Sequence, residues 1–101
     1  MRRRLPNRRE HEVVDLEHGG IRYTVGIGRA VDGSLAEVFI DSGKAGSTID
    51  AYARDGAILV SLLLQYGITI SAIRHSITRL PKGGAAGPLG AVLDRLSQME
   101  V

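Results

Sequence analysis

The stretch LAEVFIDSGKAGS, residues 35–47, decides the fold: a strand-like run enters a Gly-Lys-x-Gly-Ser turn, and a long apolar helix opens behind it. Gly43 and Gly46 allow the backbone to bend tightly. The free N–H groups of a helix start carry partial positive charge, and Lys44 adds a full one. Ser42, Gly43, Lys44, Ala45, Gly46 and Ser47 are therefore a candidate anion- or nucleotide-binding turn. The same residues would serve a loop that only turns a corner. The turn is not a Walker A loop, which needs Gly-x-x-x-x-Gly-Lys-Ser/Thr, because here the lysine precedes the second glycine.

Beyond the turn, Ser47 is the expected N-cap, with Asp50 at the third helical position to satisfy the reciprocal backbone donor. The helix is expected to run to about Tyr66 and stop at Gly67, a length of roughly 28 Å at about 1.5 Å per residue. Ser47, Asp50, Arg54, Ser61 and Gln65 fall on one narrow polar stripe, and apolar residues clothe the rest. That pattern predicts burial on most sides, with any surplus apolar face forming a homodimer contact. Ala53, Gly56 and Ala57 predict a close approach to the sheet.

Before the turn, Glu12 to His18 and Ile21 to Arg29 alternate with the two-residue period of half-buried strands, joined by Gly19-Gly20. Val14 and Leu16 share one face of the first, and Ile21, Tyr23, Val25 and Ile27 one face of the second. Asp32-Gly33 turns the chain into Leu35 to Asp41. Downstream, Ile70, Ile73, Ile77 and Leu80 follow helical spacing up to Pro81, and Lys82 to Gly87 reads as a flexible loop. Pro88 then opens a terminal helix with Leu89, Val92, Leu93 and Leu96 on its apolar face. The fold class is α+β: a three-stranded antiparallel β-meander, a long central helix and two shorter helices.

At 101 residues, 44% hydrophobic and 24% charged, the chain has the length and composition of one globular domain. Residues 10–101 are read as that domain, and residues 1–9 as a flexible basic arm. The arm holds Arg2, Arg3, Arg4, Arg8 and Arg9, five of the thirteen basic residues. From Glu10 onward the chain has eight basic against eleven acidic residues. A general nucleic-acid surface on the body is thus disfavoured, while the arm itself suits a tether to nucleic acid or an acidic partner.

The chain has no cysteine, so disulfides, thiolate metal sites and cysteine nucleophiles are excluded. His11, His18 and His75 are too scattered to predict a metal site. Arg74, His75 and Arg79 could supply positive charge near a ligand or simply form a solvated helix face. Asp15 and Glu17 are an acid–base pair only if a cleft meets them. No catalytic triad, dinucleotide fingerprint or metalloprotease motif is present. No apolar run approaches membrane-spanning length, and a cytoplasmic location is expected.

Glu37-Val38-Phe39-Ile40, then Gly43-Lys44-Ala45-Gly46-Ser47, with Ser61-Leu62 and Gly67 closing the helix, resembles the TSCPD domain. That domain is known as a C-terminal module of adenosylcobalamin-dependent (class II) ribonucleotide reductases and as small stand-alone bacterial proteins. The resemblance spans roughly Gly19 to Leu96. The family's Cys-Gly pair looks like Gly19-Gly20 here, its Arg-Cys-Pro like Arg79-Leu80-Pro81, and its Ser-Cys-Pro-Asp like Ala86-Gly87-Pro88-Leu89. Every cysteine is gone, so any metal or electron chemistry of those cysteines is absent, while the prolines imply the same backbone path.

The resemblance implies association with ribonucleotide reduction and DNA precursor synthesis, with cobalamin as the reductase's cofactor and none bound by this chain. Implied partners are a ribonucleotide reductase subunit or a nucleotide. Catalysis by the lone chain has no support in the sequence; an enzymatic site would have to be completed across a dimer interface. Two functional readings stand. One is a non-catalytic accessory or regulatory module binding a protein partner or nucleotide phosphate at the Gly43–Ser47 turn. The other is a nucleic-acid-associated protein acting through the arginine arm.

Overall fold

A computed structural model describes residues 11–99. The arm, including its five arginines, lies outside the described residues. The strands are β1 (His11–His18), β2 (Ile21–Arg29) and β3 (Leu35–Asp41), and the helices are α1 (Thr48–Gln65), α2 (Ile70–Ser76) and α3 (Pro88–Met99). The strands pair antiparallel in the order β1-β2-β3, so the α+β meander expected from the sequence is present and β3 is an edge.

The β1–β2 hairpin turns on Gly19 and Gly20, at φ 61° and 79°. Two successive positive φ values match the twist of the strands and are open to glycine without steric cost. In β3, Leu35, Val38 and Ile40 all enter the core, although Leu35 and Val38 have opposite parity. A strand with period two cannot achieve this without an extra residue. The register shift at Gly28/Arg29 supplies it, pairing Gly28 with Glu37 but Arg29 with Leu35. Tyr23, Val25 and Ile27 of β2 meet these residues, Ala53, Ala57, Val60 and Leu64 of α1, and Val92, Leu93 and Leu96 of α3.

α1 begins and ends on local chemistry. The Ser47 hydroxyl accepts from the Asp50 N–H at 3.2 Å. At the other end Ile68 N–H donates to the Leu63 carbonyl and Gly67 N–H to the Leu64 carbonyl, each at 3.0 Å, with Gly67 at φ 92°. This pair of bonds is a Schellman stop.

The faces of α1 differ from the expectation of burial on most sides. Asp50 and Gln65 are 4% and 3% exposed, whereas Tyr52, Ile58, Leu59, Leu62, Leu63 and Tyr66 face outward. The cause is the β3 edge. Ser61 Oγ accepts from Val38 N–H at 2.8 Å and lies 3.1 Å from the Val38 carbonyl; Gln65 Nε2 donates to the Ala36 carbonyl at 3.1 Å. One helical i,i+4 step, about 6 Å, matches two strand residues, about 6.8 Å. The polar stripe therefore runs along the strand and hydrogen-bonds its otherwise unpaired edge. Gly56 approaches Leu89 of α3 rather than the sheet: a Cβ there would lie 3.1 Å from Leu89 Cδ2.

α2 ends at Ser76 rather than near Leu80, and Ile77 is extended at φ −91°, ψ 167°. Leu80 precedes a proline, which disfavours helical backbone. The segment expected to be a flexible loop folds back on itself instead, with an Arg79–Ala85 bridge, Leu80 N–H donating to the Gly84 carbonyl at 2.8 Å, and Gly83 N–H to the Leu80 carbonyl at 2.8 Å.

Candidate functional site

Among the described residues, chemistry could reside at the Gly43–Ser47 turn, on the exposed face of α1, and at the seam between α2 and α3.

At the turn, Gly43 and Gly46 adopt φ 72° and 85°, as a sharp strand-to-helix bend requires. Ser42 is buried, while Gly43, Lys44, Ala45 and Gly46 are exposed and Ser47 is half-buried. The amides nearest the bend are engaged by the chain's own oxygens. Asp50 Oδ1 accepts from Ser42 N–H at 3.1 Å and from Ser42 Oγ at 2.8 Å, and Asp41 Oδ1 accepts from Gly43 N–H at 2.8 Å. Lys44 N–H donates to Ser42 Oγ at 3.2 Å, and Ser47 N–H to the Lys44 carbonyl at 3.1 Å. Asp50 thus reaches back to Ser42 instead of making the reciprocal bond to Ser47 expected of a capping box.

Arg54 joins both carboxylates, Nε to Asp50 Oδ2 at 2.7 Å and Nη2 to Asp41 Oδ1 at 3.0 Å. Its hydrogen bond, followed by those from Ser42, holds the Asp50 carboxyl below its ordinary range. Bonding to Asp50 in turn raises Arg54. Two carboxylates against Arg54 and Lys44 leave the turn with no excess positive charge. An incoming phosphate would meet amide donors already in use.

The outward face of α1 is apolar. Leu59 is 61% and Tyr52 70% exposed, and with Ile58, Leu62, Leu63 and Tyr66 they occupy one continuous arc in which Asp55 is the single charged residue. A shallow cleft of about 150 Å³ between Phe39, Ile58 and Leu62 carries the arc onto β3. A larger cavity of about 410 Å³, lined by Ile49, Tyr52, Ile77, Pro88 and Leu89 among others, adjoins its other end. Patches beyond a few hundred Å² of exposed apolar surface mark interaction sites.

At the α2–α3 seam, Asp94 of α3 receives two arginines. Arg79 donates Nη1 to Oδ2 at 2.8 Å and Nη2 to Oδ1 at 2.7 Å, and Arg74 donates Nε to Oδ1 at 2.6 Å. Arg79 Nη2 also donates to the Arg74 carbonyl at 3.2 Å, satisfying an end group of α2. The Arg79 hydrogen bonds, aided by those of Arg74 and opposed by partial burial, hold Asp94 at about 2. Arg74, His75, Arg79 and Gly83 line a pocket of about 260 Å³. Sequence reasoning marked both arginines and the histidine but not Asp94. Its only local signal is a polar position beside the apolar stripe of α3, and nothing in the sequence links it to residues fifteen and twenty positions earlier.

Asp15 and Glu17 are exposed on β1, outside the clefts described above, and the Asp15 carboxylate lies 3.5 Å from Thr24 Oγ1 across the hairpin. Among the described residues no three metal-ligating side chains come together, and no helix is long and apolar enough to cross a membrane.

The TSCPD domain profile matches residues 2–99. The vitamin B12-dependent ribonucleotide reductase of Agrobacterium fabrum is 35% identical over 77 residues, covering 76% of this chain and 6% of that protein. The enzyme of the same name from Bradyrhizobium diazoefficiens is 33% identical over 88 residues, covering 87% of this chain and 7% of its own length. This chain therefore spans only a small fraction of these relatives. No solved structure matches it significantly. With the profile covering almost the whole sequence and the three-strand, three-helix order in place, the chain belongs to the TSCPD domain family, linked through its relatives to B12-dependent ribonucleotide reductase.

Proposed function

We propose that this chain is a non-catalytic accessory module of B12-dependent ribonucleotide reduction, and that it works by docking on the reductase through the outward face of α1. The observation that carries the reading is the pairing of kinship with that face: relatives that carry the domain as a small part of a reductase, and an α1 arc with six large apolar side chains in water. A protein partner is favoured over a nucleotide phosphate at Gly43–Ser47, because Asp41 and Asp50 hold the nearest amides there. Cobalamin chemistry is left to the reductase body. The cavity of about 410 Å³ beside α1 lies at the small end of the roughly 300–1,000 Å³ that drug-sized ligands use and is too small for a corrinoid.

The competing reading rests on the five arginines of the arm, which would grip nucleic acid. Capture from the source organism, with the full chain and with a chain lacking residues 1–9 as bait, separates the two. Docking predicts that both baits retain a reductase subunit, identified by mass spectrometry. The arm reading predicts nucleic acid on the full chain only and no reductase on either, which would overturn the proposal.

A further inference from the structure

Charge is unevenly distributed along this chain. Between His11 and Ile68 acids outnumber bases eight to four, whereas between Thr69 and Met99 Arg74, Arg79, Lys82 and Arg95 face the single acid Asp94. Two of these basic side chains, Arg74 and Arg79, meet at the α2–α3 seam. The seam also inverts the Asp41–Arg54–Asp50 cluster of the turn: one carboxylate there holds two guanidiniums, leaving an excess positive charge.

The donors are fixed and partly unused. Arg74 is pinned through Nε to Asp94 Oδ1, and among the described residues its Nη1 and Nη2 groups find no acceptor. A guanidinium held from behind by a carboxylate presents a planar fork suited to a second oxyanion, at little further cost in side-chain entropy. His75 is fixed in turn: its Nδ1 lies 2.7 Å from the Ser71 carbonyl, which can only accept, so Nδ1 carries a proton, and among the described residues Nε2 has no hydrogen-bond partner. Both side chains, with Arg79 and the Gly83 backbone, border the same pocket of about 260 Å³.

We propose that the pocket formed by Arg74, His75, Arg79 and Gly83 is a binding site for a phosphate group, either free or as the terminal group of a small phosphorylated molecule. A volume of about 260 Å³ is below the usual roughly 300–1,000 Å³ range for ligand pockets. The group recognised is accordingly the phosphate and not a whole nucleotide. Arg74 supplies the bidentate fork, Arg79 the second positive charge, and Asp94 orients both as a positioning residue. Anion recognition, anticipated at Lys44, is thereby assigned to the α2–α3 seam.

The test is a titration of the full chain with sodium phosphate at constant ionic strength, with sodium chloride as the balancing salt, read from backbone amide and arginine Nε–H resonances. The expected result is saturable shifts at Arg74, His75, Arg79 and Gly83, none at Gly43–Ser47, and an affinity at least about tenfold weaker in Arg74→Gln, where Arg79 still pairs with Asp94. Thermal unfolding of Arg74→Gln and of Arg74→Lys, which keeps the charge but not the fork, verifies that the fold is intact. In a second arm, a nucleoside monophosphate should shift the same residues and the parent nucleoside should not. Equal shifts with chloride, unchanged affinity in Arg74→Gln, or equal response to the nucleoside overturns the proposal. Arg74 lies off the α1 face, so loss of reductase docking would leave these results standing.

Discussion

On α1, the side against the protein carries Asp50, Ser61 and Gln65, and the side in water carries Ile58, Leu59, Leu62 and Leu63. Of its apolar residues, Ala53, Ala57, Val60 and Leu64 join the core. The difference shows what an edge strand asks of a helix beside it. β3 has a row of backbone groups with no strand to pair them, and leaving such groups dry would cost about 1–3 kcal/mol each. Polar side chains at helical intervals meet that need, and six large apolar side chains on the other side are left in water.

The contrast can be broken from either side. Asp50→Ala removes a buried carboxylate that holds Ser42 and Arg54, and should destabilise the fold by about 3 kcal/mol in urea unfolding. A loss under about 1 kcal/mol would mean that the turn does not depend on it. Ser61→Ala strips the hydrogen-bond partner from Val38 and should cost about 1–2 kcal/mol. The same variant should speed amide exchange at Val38, and unchanged exchange there would count against edge capping.

At the seam, Asp94→Asn should cost about 1 kcal/mol near neutral pH, since the group is partly solvated. Its signature is in acid. The folded-state value of about 2 lies below the ordinary 3.8, so this carboxylate's contribution is complete above 3.8 and is lost as pH falls through about 2. Asp50, also held low, loses its contribution in the same direction. Asp94→Asn should therefore flatten the fall in stability between about pH 4 and pH 2, and an unaltered acid limb would refute the coupling. Smallest of all, Leu59→Asp on the outward face should change stability by no more than about 0.5 kcal/mol.

Much of this was legible in the sequence, for reasons that separate local from tertiary information. The Gly19-Gly20 hairpin, the Ser47 cap and the Gly67 stop are set by chemistry within a few residues, and each stands where the sequence placed it. Hydrophobic periodicity locates two faces on α1 but does not say which one is inside. That depends on α1 lying along a strand edge, where Ser61 meets Val38 from 23 positions away. The end of α2 was hidden for a similar reason. Ile77 and Leu80 keep helical spacing, but the chain is already extended at Ile77 and turns back through the Arg79–Ala85 bridge, which delivers Arg79 to Asp94. Of the candidate phosphate turn, the bend itself was readable. That Asp41 and Asp50 would engage its amides was not, since several arrangements of those carboxylates fit the same sequence.

The most direct test of the docking role is the affinity of the purified B12-dependent reductase for the full chain, measured by calorimetry with wild type and with the Leu59→Asp, Leu63→Asp double variant. Both side chains are exposed, so the variant should fold as wild type does. The result expected is saturable binding by wild type and a loss of about 30-fold or more in the variant, as for hot-spot residues at an interface. Equal affinity of the two proteins, or no binding by wild type, would contradict a reductase-docking role for α1.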